Sequence, residues 1–167
     1  MNLVGGINNR QDVYVKISIN KSIENIIKKD NVNSIINIDG ILLIVIDELN
    51  SKEYITMLKE DENKAKHKLK ELMKKIKTKE KAVGIILLEK NLKLFKIHPV
   101  IWVKEIDTVY YETACGSGSL ATAIYLNSIT KKNSFEILQP SEFSIRVELK
   151  IENNYILNAT VSGKVME

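Results

Sequence analysis

Val13, Val15, Ile17 and Ile19 alternate with Tyr14, Lys16, Ser18 and Asn20, a period of two that predicts a half-buried strand. Phe143, Ile145, Val147, Leu149 and Ile151 repeat the pattern against Ser144, Arg146, Glu148 and Lys150. Asn153-Asn154 then signals a hairpin before a strand over Tyr155 to Val161. Ser34 to Ile38 and Ile41 to Asp47 are strand-like runs divided by Asp39-Gly40, and the second, apolar on both faces, belongs near the middle of a sheet. Ala82 to Leu88, Leu92 to Ile97, Val100 to Lys104 and Phe135 to Leu138 read as further strands. His98-Pro99 interrupts two of them, and the proline is expected at an edge or a bend.

Elsewhere the period becomes helical. Ser22 to Lys29 has room for one or two helical turns. From Ser51 to Lys77, with Ser51 as N-cap, Ala65, Leu69, Leu72, Met73 and Ile76 form one buried stripe. The 118–130 segment is different: Leu120, Ala121, Ala123, Ile124, Tyr125, Leu126 and Ile129 make it apolar over most of its circumference, so other elements must wrap it. Two helices among about eight strands, mostly joined by short turns, predict an α+β fold. We expect a largely antiparallel, β-barrel-like sheet curled around that central buried helix, with one amphipathic helix on the surface. Residues 1–11, punctuated by Gly5-Gly6 and Asn8-Asn9, read as a lead-in or linker, and residues 12–167 as a single domain.

Composition narrows the function. With 167 residues, 44% hydrophobic and 28% charged, the chain can hold one domain with its own core. Its longest apolar run, Ile41 to Ile46, falls far short of the roughly 20 residues of a membrane span. No basic region followed by an apolar one opens the chain, and a single cysteine fits a reducing compartment, so a cytoplasmic setting without a membrane partner is expected. The net charge of +4 is nearly all lysine, concentrated over Lys64 to Lys81, and only Arg10 and Arg146 are arginines. Without interleaved aromatics or arginines this reads as a solvated helix face, not a nucleic-acid interface. His67 lies off the helix stripe among lysines and reads as a surface histidine, and no cluster has metal-ligand spacing.

The chemistry concentrates in Tyr110-Tyr111-Glu112-Thr113-Ala114-Cys115-Gly116-Ser117-Gly118-Ser119, which holds the only cysteine and two of the seven glycines. A lone cysteine beside glycines reads as a small buried hydrophobe. Placed at a helix start, where unpaired N–H groups and the dipole favour an anion, the same thiol has its pKa drawn toward neutrality. Nucleophilic cysteine hydrolases also need a histidine. Neither His67 nor His98 is an evident partner, which favours a general base. Gly116-x-Gly118-x-x-Ala121 also satisfies the loose dinucleotide fingerprint, with Glu136 at the ribose-binding distance, although hairpins rather than βαβ units follow it.

Ala114-Cys115-Gly116-Ser117-Gly118-Ser119 before an apolar helix resembles the second active-site motif of the diaminopimelate epimerase-like superfamily. Leu138-Gln139-Pro140-Ser141 and Val161-Ser162-Gly163-Lys164-Val165 resemble its terminal strands, Ile38-Asp39-Gly40 its strand entry, and the serine after Cys115-Gly116 its histidine-racemase branch. The resemblance implies a cofactor-independent racemase or epimerase of two similar halves, with a small amino acid, histidine or a related one, bound between a thiolate base and a thiol acid. It further implies that this chain is the C-terminal half. Cys115 would be the catalytic thiol of that half, Gly116 and Ser117 would bind the substrate carboxylate, and Glu105 would be the acidic substrate contact. Ile41-Leu42-Leu43, Ala82-Val83-Gly84 and Glu142 depart from that half's polar or glycine positions and argue against meso-diaminopimelate as substrate. One thiol cannot serve both faces of a carbon. The chain is therefore expected to be inactive alone and to need a separately encoded or missing N-terminal half, or to pair as a homodimer. A degenerate, non-enzymatic binding module is the alternative.

Overall fold

The computed structural model describes residues 3–7, 12–30, 33–38, 40–91 and 93–164. Asp39, Leu92, Val165 and residues 8–11 of the expected lead-in, Arg10 among them, lie outside the described residues. In chain order the elements are β1 (Leu3–Ile7), β2 (Asp12–Ser22), α1 (Ile23–Ile26), β3 (Ile27–Asp30), β4 (Asn33–Ile38), β5 (Ile41–Ile46), α2 (Glu48–Glu60) and α3 (Glu62–Lys74). They continue with β6 (Ala82–Asn91), β7 (Leu94–Val103), β8 (Thr108–Tyr111), α4 (Gly116–Thr130), β9 (Ser134–Leu138), β10 (Ser144–Glu152) and β11 (Tyr155–Lys164).

The strands form one eleven-stranded sheet in the order β1-β2-β11-β10-β9-β7-β6-β5-β4-β3, with β8 attached to β7. Its pairings are antiparallel except β5 with β6 and β7 with β9, so the sheet is mixed. The expected barrel does not close: β1 and β3 stand at opposite ends of the path, unpaired with each other among the described residues. The end strand β3 has only four residues and exposes Lys28, Lys29 and Asp30, a short charged edge that does not take on a further strand. The sheet is covered on both faces. Leu43, Val45, Ile86, Ile97 and Ile101 face α4, whereas Ile44, Ile46, Val83, Ile85 and Val100 face α2 and α3. Strand β5 alternates between the two cores, which is why it is apolar throughout.

The expected single surface helix is two. Asp61 breaks it, leaving α-helical geometry at φ −151° and accepting the Lys64 N–H at 3.2 Å as the N-cap of α3. The stripe holds, with Ala65, Leu69 and Met73 buried. Ser51, expected as N-cap, lies inside α2, which Asp47 caps through the Asn50 N–H. The Ser51 hydroxyl instead pins the helix to the sheet, donating to the Ile46 carbonyl at 2.9 Å and accepting the Leu88 N–H at 3.1 Å. The Ser22 to Lys29 helix is only the one turn of α1 before β3 begins. Part of the expected lead-in forms β1, paired to β2. His98-Pro99 does not interrupt β7. One edge of β7 changes partner there, from β9 at Phe95 and Lys96 to β8 at Val100 to Val103, and proline needs no donor in the gap.

Candidate active site

Helix α4 begins on the glycine turn because its N-cap is Cys115 itself, whose Sγ accepts the Gly118 N–H at 3.2 Å where a serine or aspartate oxygen would ordinarily serve. From Gly118 to Ile124 every residue of α4 is buried, as are Leu126 and Asn127. Strands β10, β11 and β4 to β7 lie around it, so the helix start that presents the thiol is held by the core and not by a loop.

The lead-in and the turn are then latched by Gln139, at the end of β9 and completely buried. Its Oε1 accepts the Cys115 N–H at 2.9 Å, and its Nε2 donates to Ser119 Oγ at 2.9 Å and to the Ile137 carbonyl at 3.0 Å. Ser119 Oγ in turn donates to the Cys115 carbonyl at 2.7 Å. Sequence reasoning places Gln139 only in the Leu138-Gln139-Pro140-Ser141 segment and misses its role; a lone amide closing an apolar strand before a proline is its one local signal.

Cys115 is 8% exposed, and burial pushes its thiol up. The Ser117 hydroxyl, 3.5 Å away, and the Gly118 N–H pull it down, and the nearby Glu112 carboxylate pushes it further up. The expected fall toward neutrality is therefore reversed, because enclosure of the thiol outweighs the helix-start donors. The N–H groups of Gly116 and Ser117 meet no carbonyl among the described residues; that of Ser117 turns to the Cys115 sulfur, which it helps to pull down, and Gly116 is exposed. The Glu112 N–H donates to the Pro99 carbonyl at 3.0 Å, and its carboxylate has no hydrogen-bond or ion-pair partner among the described residues. Cys115, Gly116 and Ser117 thus come together, with Glu112 beside them. Glu105 does not join them: it is exposed in the 104–107 turn, which opens β8, whereas the cysteine turn follows the other end of that strand.

His98, left without a partner by the sequence, is 3% exposed on the α2/α3 side of β7. Its Nε2 lies 2.6 Å from Glu89 Oε2 and its Nδ1 2.6 Å from the Tyr111 hydroxyl. Glu89 stays ionised below its ordinary value and Tyr111 is pushed up to about 12, so Nε2–H donates to the carboxylate and Tyr111 O–H donates to Nδ1. Burial lowers the His98 pKa against the pull of Glu89. The unfolded ring takes a proton as pH falls through about 6.5 and the folded ring resists it, so stability is lost below that value. We expect the urea midpoint to fall between about pH 8 and about pH 5. His98→Gln is expected to lose that part of the slope; a wild-type slope in the variant would refute the assignment. His67 is exposed.

Among the described residues no group of three or more His, Cys, Asp or Glu could hold a metal ion, and no helix is long and apolar enough to cross a membrane. A groove of about 630 Å³ lies on the α2 side, bordered by Lys52, Ile55, Lys59, Leu88 and Glu89, away from the thiol. The dinucleotide reading fails on topology. Strand β8 is antiparallel to β7 while β9 is parallel to it, so α4 does not link two parallel strands as the fingerprint requires.

The fold is shared with a hydroxyproline epimerase from Agrobacterium vitis (TM-score 0.51, 10% identity, 97% of this chain and 52% of that one). It is also shared with a putative phenazine biosynthesis PhzC/PhzF protein from Clostridium difficile strain 630 (TM-score 0.52, 13% identity, 97% and 57%). In sequence the chain is similar to the curated histidine racemases of two strains of Fusobacterium nucleatum subsp. nucleatum. It is 28% identical to each over 121 residues, covering 71% of this chain and 44% of theirs. The chain thus spans less than half the length of these relatives. The C-terminal placement is overturned. The family that matches residues 4–166 is an N-terminal domain, and a cysteine motif and terminal strands common to two similar halves could not tell one from the other. The departures at Ile41-Leu42-Leu43, Ala82-Val83-Gly84 and Glu142, counted against meso-diaminopimelate as substrate, were measured on the C-terminal half's pattern and lapse with it. The chain belongs to the histidine racemase CntK N-terminal domain family.

Proposed function

We propose that this chain is the N-terminal half of a cofactor-independent amino-acid racemase, with Cys115 working on one face of the substrate's α-carbon and a second thiol, from the remainder of the enzyme, on the other. The observation that carries the reading is the grouping at the start of α4: a thiol, a Gly116 N–H without an acceptor among the described residues beside a Ser117 N–H that meets only that thiol, and an unpartnered carboxylate. That set matches a zwitterion. The N–H groups of Gly116 and Ser117 would take the substrate carboxylate, Glu112 its ammonium group, and Cys115 Sγ would face the α-carbon. As one sulfur takes the α-proton, the C–H electron pair moves toward the carboxylate, where the helix-start N–H groups stabilise it. The other thiol then delivers its proton to the opposite face.

Burial keeps Cys115 protonated at rest, which suits it as the acid in one direction and, once the proton has been given up, as the base in the other. The names of the relatives support histidine or a related amino acid as substrate. The same burial favours a second reading, a binding module whose cysteine is inert.

The test is α-proton exchange and inversion in D2O, followed by NMR and chiral chromatography on a panel of amino acids that includes histidine. We expect no inversion by the chain alone, inversion by the chain joined to its complementary half, and loss of it in Cys115→Ser. Inversion by the chain alone, lost in Cys115→Ser, would mean a homodimeric site. A joined protein that inverts nothing would leave the module.

A further inference from the structure

We propose that Gln139 is the positioning residue of the thiol: its carboxamide holds the backbone of Cys115 from both sides and keeps the turn closed over Sγ. The importance of the thiol rests on the function proposed above, but the positioning itself stands on the hydrogen bonds alone.

A carboxamide offers one strong acceptor and two donors in one plane, and Gln139 uses all three. The Cys115 N–H can meet only an acceptor and the Ile137 carbonyl only a donor, so the amide has a single orientation. Its second N–H goes to Ser119 Oγ, which passes its own proton to the Cys115 carbonyl. Both polar groups of the Cys115 backbone are thereby tied to one buried side chain, the N–H directly and the C=O through Ser119.

The chain around Gln139 is latched as well. Its N–H donates to the Phe143 carbonyl at 2.8 Å, its carbonyl accepts the Glu142 N–H at 2.9 Å, and the Ser141 N–H donates to the Thr113 carbonyl at 3.0 Å. From outside, Lys96 Nζ holds Glu142 Oε1 at 2.6 Å. Glu112 is the one charged group acting on the thiol among the described residues. With Cys115 N–H and C=O held, the backbone that carries Sγ is fixed, and the Gly118 N–H and Ser117 hydroxyl hold the sulfur itself under the turn. A glutamine that merely filled the core would not need two of its three hydrogen bonds to reach Cys115 and Ser119, the third anchoring the amide to its own strand at Ile137.

The experiment reads the thiol of the isolated chain, without any substrate: the rate of Cys115 alkylation by iodoacetamide as a function of pH, beside urea unfolding. Gln139→Met keeps the length and removes every hydrogen bond of the carboxamide. The open turn should become about tenfold more populated, the change that losing a buried hydrogen bond makes, and alkylation should accelerate by as much. Its pH midpoint should fall toward the ordinary thiol range as the burial that raised it is lost. Leu69→Ala, in the core on the other face of the sheet, is the reference for destabilisation alone and should leave the profile where it is. Should Gln139→Met not fold, Ser119→Ala cuts the hydroxyl relay from Gln139 to the Cys115 carbonyl, leaving only the Ser119 N–H on it, and should move the profile the same way by a smaller amount. A profile in these variants that superimposes on that of the wild type, or an equal shift in Leu69→Ala, would overturn the proposal. Because no racemisation is measured, failure of the two-thiol reading would not be mistaken for failure of this one.

Discussion

Ile124→Ala is expected to cost about 2–5 kcal/mol in equilibrium urea unfolding, a large part of the stability of a domain this size. Ile124 is 1% exposed at the centre of α4, packed in the core between that helix and the sheet. Truncation loses the transfer energy of the removed methyl groups and leaves a cavity that the strands on either side cannot collapse to fill. Ile129, one turn and a half further along the same helix, is 53% exposed, and Ile129→Ala should stay within about 0.5 kcal/mol of wild type. Equal costs at the two positions would mean that α4 is not enclosed, and the support for the thiol would have to be sought elsewhere.

Gly118→Ala is expected to damage the chemistry far more than the fold. A methyl group built there would lie 2.9 Å from Ile86 Cδ1 and 3.1 Å from Cys115 Sγ, so the buried isoleucine or the thiol must move. Overpacking costs about 1–3 kcal/mol, and alanine's helix preference returns about 0.8–1.0 of it, so the net cost to folding should be about 0–2 kcal/mol, at the low end if the thiol is what moves. The thiol has more freedom than Ile86, which is fully buried in the core. Displacement of a reacting group by about 1 Å costs on the order of 10²-fold in rate. In the joined enzyme proposed above, α-proton exchange should fall by about that factor. Full exchange with a lowered unfolding midpoint would show that Ile86 had given way and that Sγ does not depend on the glycine.

The two variants separate roles that the sequence merges. Local pattern alone determined a good deal here. The alternation of β2 and β10, the all-round apolar α4 and the Asn153-Asn154 hairpin are near-neighbour regularities, and they appear as expected, both asparagines adopting positive φ. The cysteine turn was legible for the same reason, since a thiol, two glycines and an apolar helix in one short stretch specify a presented side chain without reference to the rest of the chain.

What the tertiary structure decided is what depends on residues far apart in sequence. Which strands end the sheet unpaired, and that a second core lies under α2 and α3, no strand pattern announces. The partners of His98 come from β6 and β8. The thiol's environment depends on Gln139, 24 residues away, and on how deeply α4 is enclosed. A helix start lowers a thiol's pKa when it is open to water, and burial raises it; the sequence shows the helix start, but only packing shows the burial. The acidic neighbour of Cys115 is Glu112 and not Glu105, because β8 puts its whole length between that turn and the thiol. That the chain matches an N-terminal domain family was beyond the motif for a related reason: a short cysteine motif is one local solution, and the match that places the domain runs over residues 4–166.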